Sequence, residues 1–105
     1  KNGIKYVIKK FDGVDVNTLR DLADEVRNKL GSVVVLFATV NDGKLNFICA
    51  VSKDLVEKKI AAGKLIKEIA KVAGGGGGGR PDMATAGAKD IDKVEEALNK
   101  LDELL

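Results

Sequence analysis

Apolar residues change their spacing several times along this chain, and each change predicts an element. From Ile4 to Phe11 apolar and β-branched side chains alternate roughly with Lys5 and Lys9, the pattern of a strand with one solvated face. Asp12-Gly13 closes it with a turn. After Asp15 the period lengthens: Leu19, Leu22, Ala23, Val26 and Leu30 fall on one face of a helix. Asp15 is placed to cap its start and Gly31 lies just past its end. Arg20, Asp21, Asp24, Glu25 and Lys29 occupy the other side, which reads as a solvated face. Val33 to Val40 is almost wholly apolar, as a strand covered on both faces requires. Asn41-Asp42-Gly43 is a hairpin signal leading into a second strand, Leu45 to Val51. These two strands are expected to pair antiparallel at the sheet centre, with Phe37 and Phe47 in the core.

Ser52 is placed to cap a short helical turn, SKDLVEKK, and a fuller helix is expected from about Lys64 to Ala73 with Leu65, Ile66, Ile69 and Ala70 facing inward. Six glycines, Gly74 to Gly79, followed by Arg80 and Pro81, cannot prolong that helix. Each glycine costs roughly 1 kcal/mol relative to alanine there and proline about 3. The run is expected to be a loop. Met83 to Ala88, built of small residues, suits an extended segment packed closely on the sheet. Asp90 is then placed to cap a last helix with an Ile91, Val94, Leu98, Leu101 and Leu105 stripe. The expected class is α/β: a single small domain with a central mixed or antiparallel sheet packed by about three helices. The expected order is β-α-β-β-α-(glycine loop)-β-α.

Composition narrows the possibilities. A chain of 105 residues with 45% hydrophobic content supports one core, so residues 1–105 are read as one domain. No apolar run approaches the roughly 18 residues of a membrane span and no signal-peptide pattern opens the chain, so a soluble, cytoplasmic protein is expected. With no initiator methionine at Lys1, the chain reads as a piece of a longer one. A single cysteine, Cys49, and no histidine exclude an intrachain disulfide and a Cys-His nucleophile, and give no zinc site. No cofactor or metal is expected for this domain, and a self-contained enzyme is disfavoured because the commonest general base is missing.

Charge is distributed unevenly. Residues 53–80 carry seven basic and three acidic side chains, whereas residues 81–105 carry three basic and seven acidic, within a net charge of +2. Lys64, Lys67 and Lys71 share one helical stripe that ends at the glycines. Glycine's freedom at positive φ lets successive amides converge on an anion, while a plain flexible hinge is the alternative use of such a run. The ordered block after it, with Arg80, Pro81, Asp82 and Met83 together, favours the anion loop. Candidate phosphate contacts are therefore Lys64, Lys67, Lys71 and Arg80, with backbone donors from Gly75, Gly76, Gly77, Gly78 and Gly79. A nucleotide-binding fingerprint is not supported, because the run follows a helix instead of joining a strand to one, and no Gly-Lys-Ser/Thr closes it.

Gly77 to Gly87 spell GGGRPDMATAG, which closely resembles the signature of the C-terminal domain of alanyl-tRNA synthetases, a domain type named for its association with DHH phosphoesterases. The order of elements on either side is similar too, so the resemblance covers nearly the whole chain. It implies a non-catalytic domain that docks the elbow of tRNA, letting aminoacylation and editing modules act on one tRNA. By the same resemblance, ATP, magnesium and zinc belong only to the full-length parent, and alanine-specific tRNA is the expected partner. Duplex DNA and a second copy of the chain are further partners that the surface chemistry admits. Two alternatives stand beside this: a substrate-binding accessory domain of a DHH-type phosphodiesterase, or a dimerisation module using the last helix and Leu104-Leu105. The phosphodiesterase motif generally carries a histidine where this chain has Arg80.

Overall fold

The computed structural model describes residues 3–105; Lys1 and Asn2, and with them the reading of a cut end, lie outside the described residues. Every side chain from Val33 to Thr39 is buried, and the sheet is built around this run. Strand β2 (Val34–Asn41) pairs parallel with β1 (Tyr6–Asp12) on one side and antiparallel with β3 (Lys44–Val51) on the other. Helix α1 (Val16–Leu30) provides the crossover that a parallel pair requires. The β2–β3 hairpin closes on Asp42 and Gly43, with φ of 51° and 73°, the left-handed pair that a tight two-residue turn needs.

After β3 come a short helix α2 (Lys53–Glu57), helix α3 (Ala62–Val72) and two more strands, β4 (Gly76–Gly79) and β5 (Met83–Ala88). The chain ends with a 3-10 turn (Ile91–Lys93) running into helix α4 (Val94–Leu104). The sheet order is β1-β2-β3-β5-β4, mixed, with β4 at one edge and β1 at the other. Alternation along the strands separates two cores. Leu36, Phe47 and Cys49 meet Ile66 and Ile69 of α3 and Leu98 and Leu101 of α4 on one face. Val35, Phe37 and Ile48 meet Leu19 and Ala23 of α1 on the other. The α/β class and the element order expected from the sequence hold, with one change: the glycine run, expected as a loop, is an edge strand.

Three caps behave differently from one another. Asp15 accepts from the Thr18 amide at 2.8 Å, as expected. Ser52 does not cap α2; its hydroxyl accepts from the buried Val33 amide at 3.0 Å, a donor at the mouth of the sheet that would otherwise lack a partner. Asp90 makes no side-chain cap either, and its carboxylate lies against Gly74 instead. Buried Thr39 is satisfied by the Val14 backbone, donating to its carbonyl at 3.0 Å and accepting from its amide at 3.3 Å.

Two outcomes follow from these positions. Burial pushes the Cys49 thiol up to about 12. A thiol-specific disulfide reagent at pH 8 is expected to leave the native domain unmodified and to react with the thiol once the domain is unfolded, a contrast readable by absorbance. Hydrogen bonds from Thr18 hold the Asp15 carboxyl below its ordinary value, so this cap stabilises the fold above the usual carboxylate range and loses that contribution as pH falls through the lowered value. Asp15→Ala is therefore expected to lower the melting temperature at neutral pH, with the difference from wild type closing as the solution is acidified.

Candidate nucleic-acid interface

Helix α3 buries Ala62, Leu65, Ile66, Ile69 and Ala70. A helix with that face inward must turn Lys64, Lys67 and Lys71 outward, and all three are exposed. Lys71 lies 3.6 Å from Glu68, an exposed pair too weakly held to remove the lysine from solvent chemistry. The helix stops at Ala73 by a glycine-dependent cap. Gly74 takes φ of 71°, its amide reaching the Lys71 carbonyl at 3.1 Å, and the Gly75 amide reaches the Ala70 carbonyl at 2.8 Å.

That cap corrects one expectation. The Gly75 amide is spent inside the protein and is not a free anion donor. The next four glycines are extended, pairing antiparallel with β5 in the register Gly76↔Gly87 to Gly79↔Ala84. Amides of an extended strand alternate in direction instead of converging, so Gly76 to Gly79 do not form a concave anion nest. What they form is a bare edge. A Cβ at Gly77 would meet the Thr85 carbonyl oxygen at 2.4 Å and the Ala86 Cα at 2.5 Å, and one at Gly75 would meet the Gly87 oxygen at 2.0 Å. Gly76 and Gly78 look into open space, with nothing within 4 Å of a Cβ built there. At the far end, Gly63 of α3 comes so close to Gly79 that its Cβ would lie 2.9 Å from the Gly79 oxygen. The lysine-bearing helix thus runs alongside the glycine strand for its whole length.

Arg80 follows this strand in a turn fixed on three sides. The Arg80 amide bonds the Met83 carbonyl at 3.0 Å, the Pro81 carbonyl accepts from the Ala62 amide at 2.8 Å, and the Asp82 carbonyl accepts from the Val51 amide at 2.9 Å. The Arg80 side chain is 74% exposed, with Nε 3.4 Å from Asp82. Lys64, Lys67 and Lys71 are thus exposed on the helix that packs against β4, and Arg80 follows that strand directly. Sequence reading missed Arg27, whose guanidinium donates to the Asp82 carbonyl at 2.7 Å and pairs with Asp24. The available signal was its place on the helix stripe of Arg20 and Asp24, seven and three residues earlier.

A family model described as the DHHA1 domain matches residues 3–105. The chain belongs to the DHHA1 domain family. It is 49% identical over 104 residues to an alanine–tRNA ligase of Clostridioides difficile, covering 99% of this chain and 12% of that protein. It is 54% identical over 99 residues to one from Acetivibrio thermocellus, covering 94% of this chain and 11% of that protein. The chain thus spans about an eighth or less of the length of these relatives. Among solved structures, the C-Ala domain of Aquifex aeolicus alanyl-tRNA synthetase superposes with a TM-score of 0.84 at 40% identity, over 97% of this chain and 89% of that one.

The glycines of this DHHA1 domain are not equivalent. Gly77→Ala forces a methyl into the backbone of β5 and is expected to destabilise the domain by about 1–3 kcal/mol or more, the usual range for overpacking. Gly78→Ala enters open space at an ordinary φ and is expected to be neutral or to stabilise by up to about 1 kcal/mol. Urea denaturation of the two variants distinguishes them, and equal stability would mean that β4 does not lie against β5 as described.

Proposed function

We propose that this domain is the non-catalytic C-terminal part of an alanine–tRNA ligase, working in the cytoplasm, and that it docks folded tRNA at the elbow. Docking there would let aminoacylation and editing modules of the parent act on one bound tRNA. The observation that carries this reading is the glycine edge itself, lying against the helix on which Lys64, Lys67 and Lys71 are exposed and followed directly by Arg80. RNA helices are recognised largely by shape and by backbone contacts, and unstacked or terminal bases need an unobstructed surface. A strand without side chains offers close approach at Gly76 and Gly78, while four cations supply the phosphate contacts. Relatives that are alanine–tRNA ligases over nearly all of this chain support the same assignment.

Replacing Lys64, Lys67 and Arg80 together by alanine is expected to weaken binding of folded tRNA, and to make the dependence of log affinity on log salt shallower by roughly 2 to 3, since each lost phosphate contact removes about 0.7–0.9 from the slope. Unchanged affinity and slope would discard these residues as the contact surface. Competition by duplex DNA on a per-phosphate basis tests the elbow: equal competition by DNA and tRNA would leave only a generic polyanion surface.

A further inference from the structure

The chain has only three arginines, Arg20, Arg27 and Arg80, and all three line a single groove of about 400 Å³ between α1 and the β4–β5 turn. None of the fourteen lysines among the described residues borders it. This groove opens on the α1 side of the sheet, the face opposite α3, and Arg80 stands at the corner where the two faces meet. We infer that Arg20 and Arg80 form a guanidinium clamp for one phosphodiester group of RNA, extending the docking surface around the sheet edge. The inference rests on the RNA-docking reading above and adds to it a second face and a residue outside that surface.

The three guanidinium groups have different duties. Arg27 is already engaged: its side chain is 17% exposed, donates to the Asp82 carbonyl at 2.7 Å and pairs with Asp24. It is a positioning residue, tying α1 to the turn that carries Arg80. Arg80 meets Asp82 only through Nε at 3.4 Å, which leaves its two terminal nitrogens for a ligand. Arg20 is exposed and makes no hydrogen bond or ion pair among the described residues. A guanidinium presents planar, paired donors that match two phosphate oxygens, which a lysine ammonium cannot do.

The carboxylates in the groove sharpen the ligand class. Asp24 is matched by Arg27, but Asp21 also lines the groove without a cationic partner among the described residues. A carboxylate beside a clamp repels a bare polyphosphate. It accepts hydrogen bonds from a ribose 2′-hydroxyl, which neighbours every phosphodiester in RNA, or from the exocyclic amine of adenine, guanine or cytosine. One phosphodiester within a ribonucleotide chain satisfies both signs of charge.

The test titrates folded tRNA against the wild-type domain and Arg20→Ala, Arg20→Lys, Lys67→Ala and Lys89→Ala variants at several salt concentrations, with melting curves to confirm folding. Arg20→Ala is expected to weaken binding about 5–20-fold and to reduce the salt slope by roughly 1, as loss of one phosphate contact does. Arg20→Lys is expected to recover the slope but only part of the affinity, and Lys89→Ala to match wild type. Arg20→Ala binding within twofold of wild type, while Lys67→Ala weakens it, would overturn the clamp and leave the α3 surface standing. Wild type and Lys67→Ala binding tRNA equally poorly would instead overturn the docking reading beneath it. Inorganic phosphate is the second probe: if it shifts the Arg20 side-chain resonance at millimolar concentration while tRNA does not, the groove is a free-anion site and the RNA assignment fails.

Discussion

The exclusion of side chains where β4 lies against β5 governs one whole edge of this domain. At Gly75 and Gly77 any Cβ would overlap the neighbouring backbone, and at Gly63 it would reach the Gly79 carbonyl. Glycine is a poor strand former because it loses more freedom on ordering than any other residue and brings no side chain to pack. The ladder to β5 and the close approach of α3 offset that loss. The same requirement that makes the run glycine also leaves the edge bare on its outer side, so close packing and an open outer surface come from one compositional choice.

Most of the architecture was legible because its signals are local and redundant. The α1 stripe is bracketed by Asp15 and Gly31, and both act as caps. The unbroken apolar run from Val33 demanded cover on both faces, and α1 and α3 with α4 provide it. The hairpin turn was written in Asp42-Gly43. What escaped was written in tertiary contacts. Nothing in a row of glycines distinguishes an extended strand from a loop when no side-chain alternation exists to be read. Ser52 and Asp90 have the right chemistry for helix caps, but a buried amide at Val33 claims the first, and the second turns toward Gly74. At the candidate site, the exposure of Lys64, Lys67 and Lys71 was readable from helical spacing, whereas Arg27 acts through a backbone carbonyl fifty-five residues away in sequence.

Charge follows the layers. The acidic helix α4 packs beside α3 and over β2, on the side of α3 away from the glycine edge, and Tyr6 of β1 donates to its Asp102 at 3.0 Å. That carboxylate raises the Tyr6 phenol through the hydrogen bond and its charge. The carboxylates of α4 thus lie on the far side of α3 from β4, while Lys64, Lys67 and Lys71 are exposed on α3 itself and Arg80 follows β4 directly.

The Tyr6–Asp102 hydrogen bond also bears on how the domain can be mounted. It joins the first strand to the last helix, so both extremities of the described chain lie together at the sheet margin opposite the polyglycine. A tether fused at either extremity, or a short peptide joining the two in a circular permutant reopened at Asp42-Gly43, would hold the domain from behind.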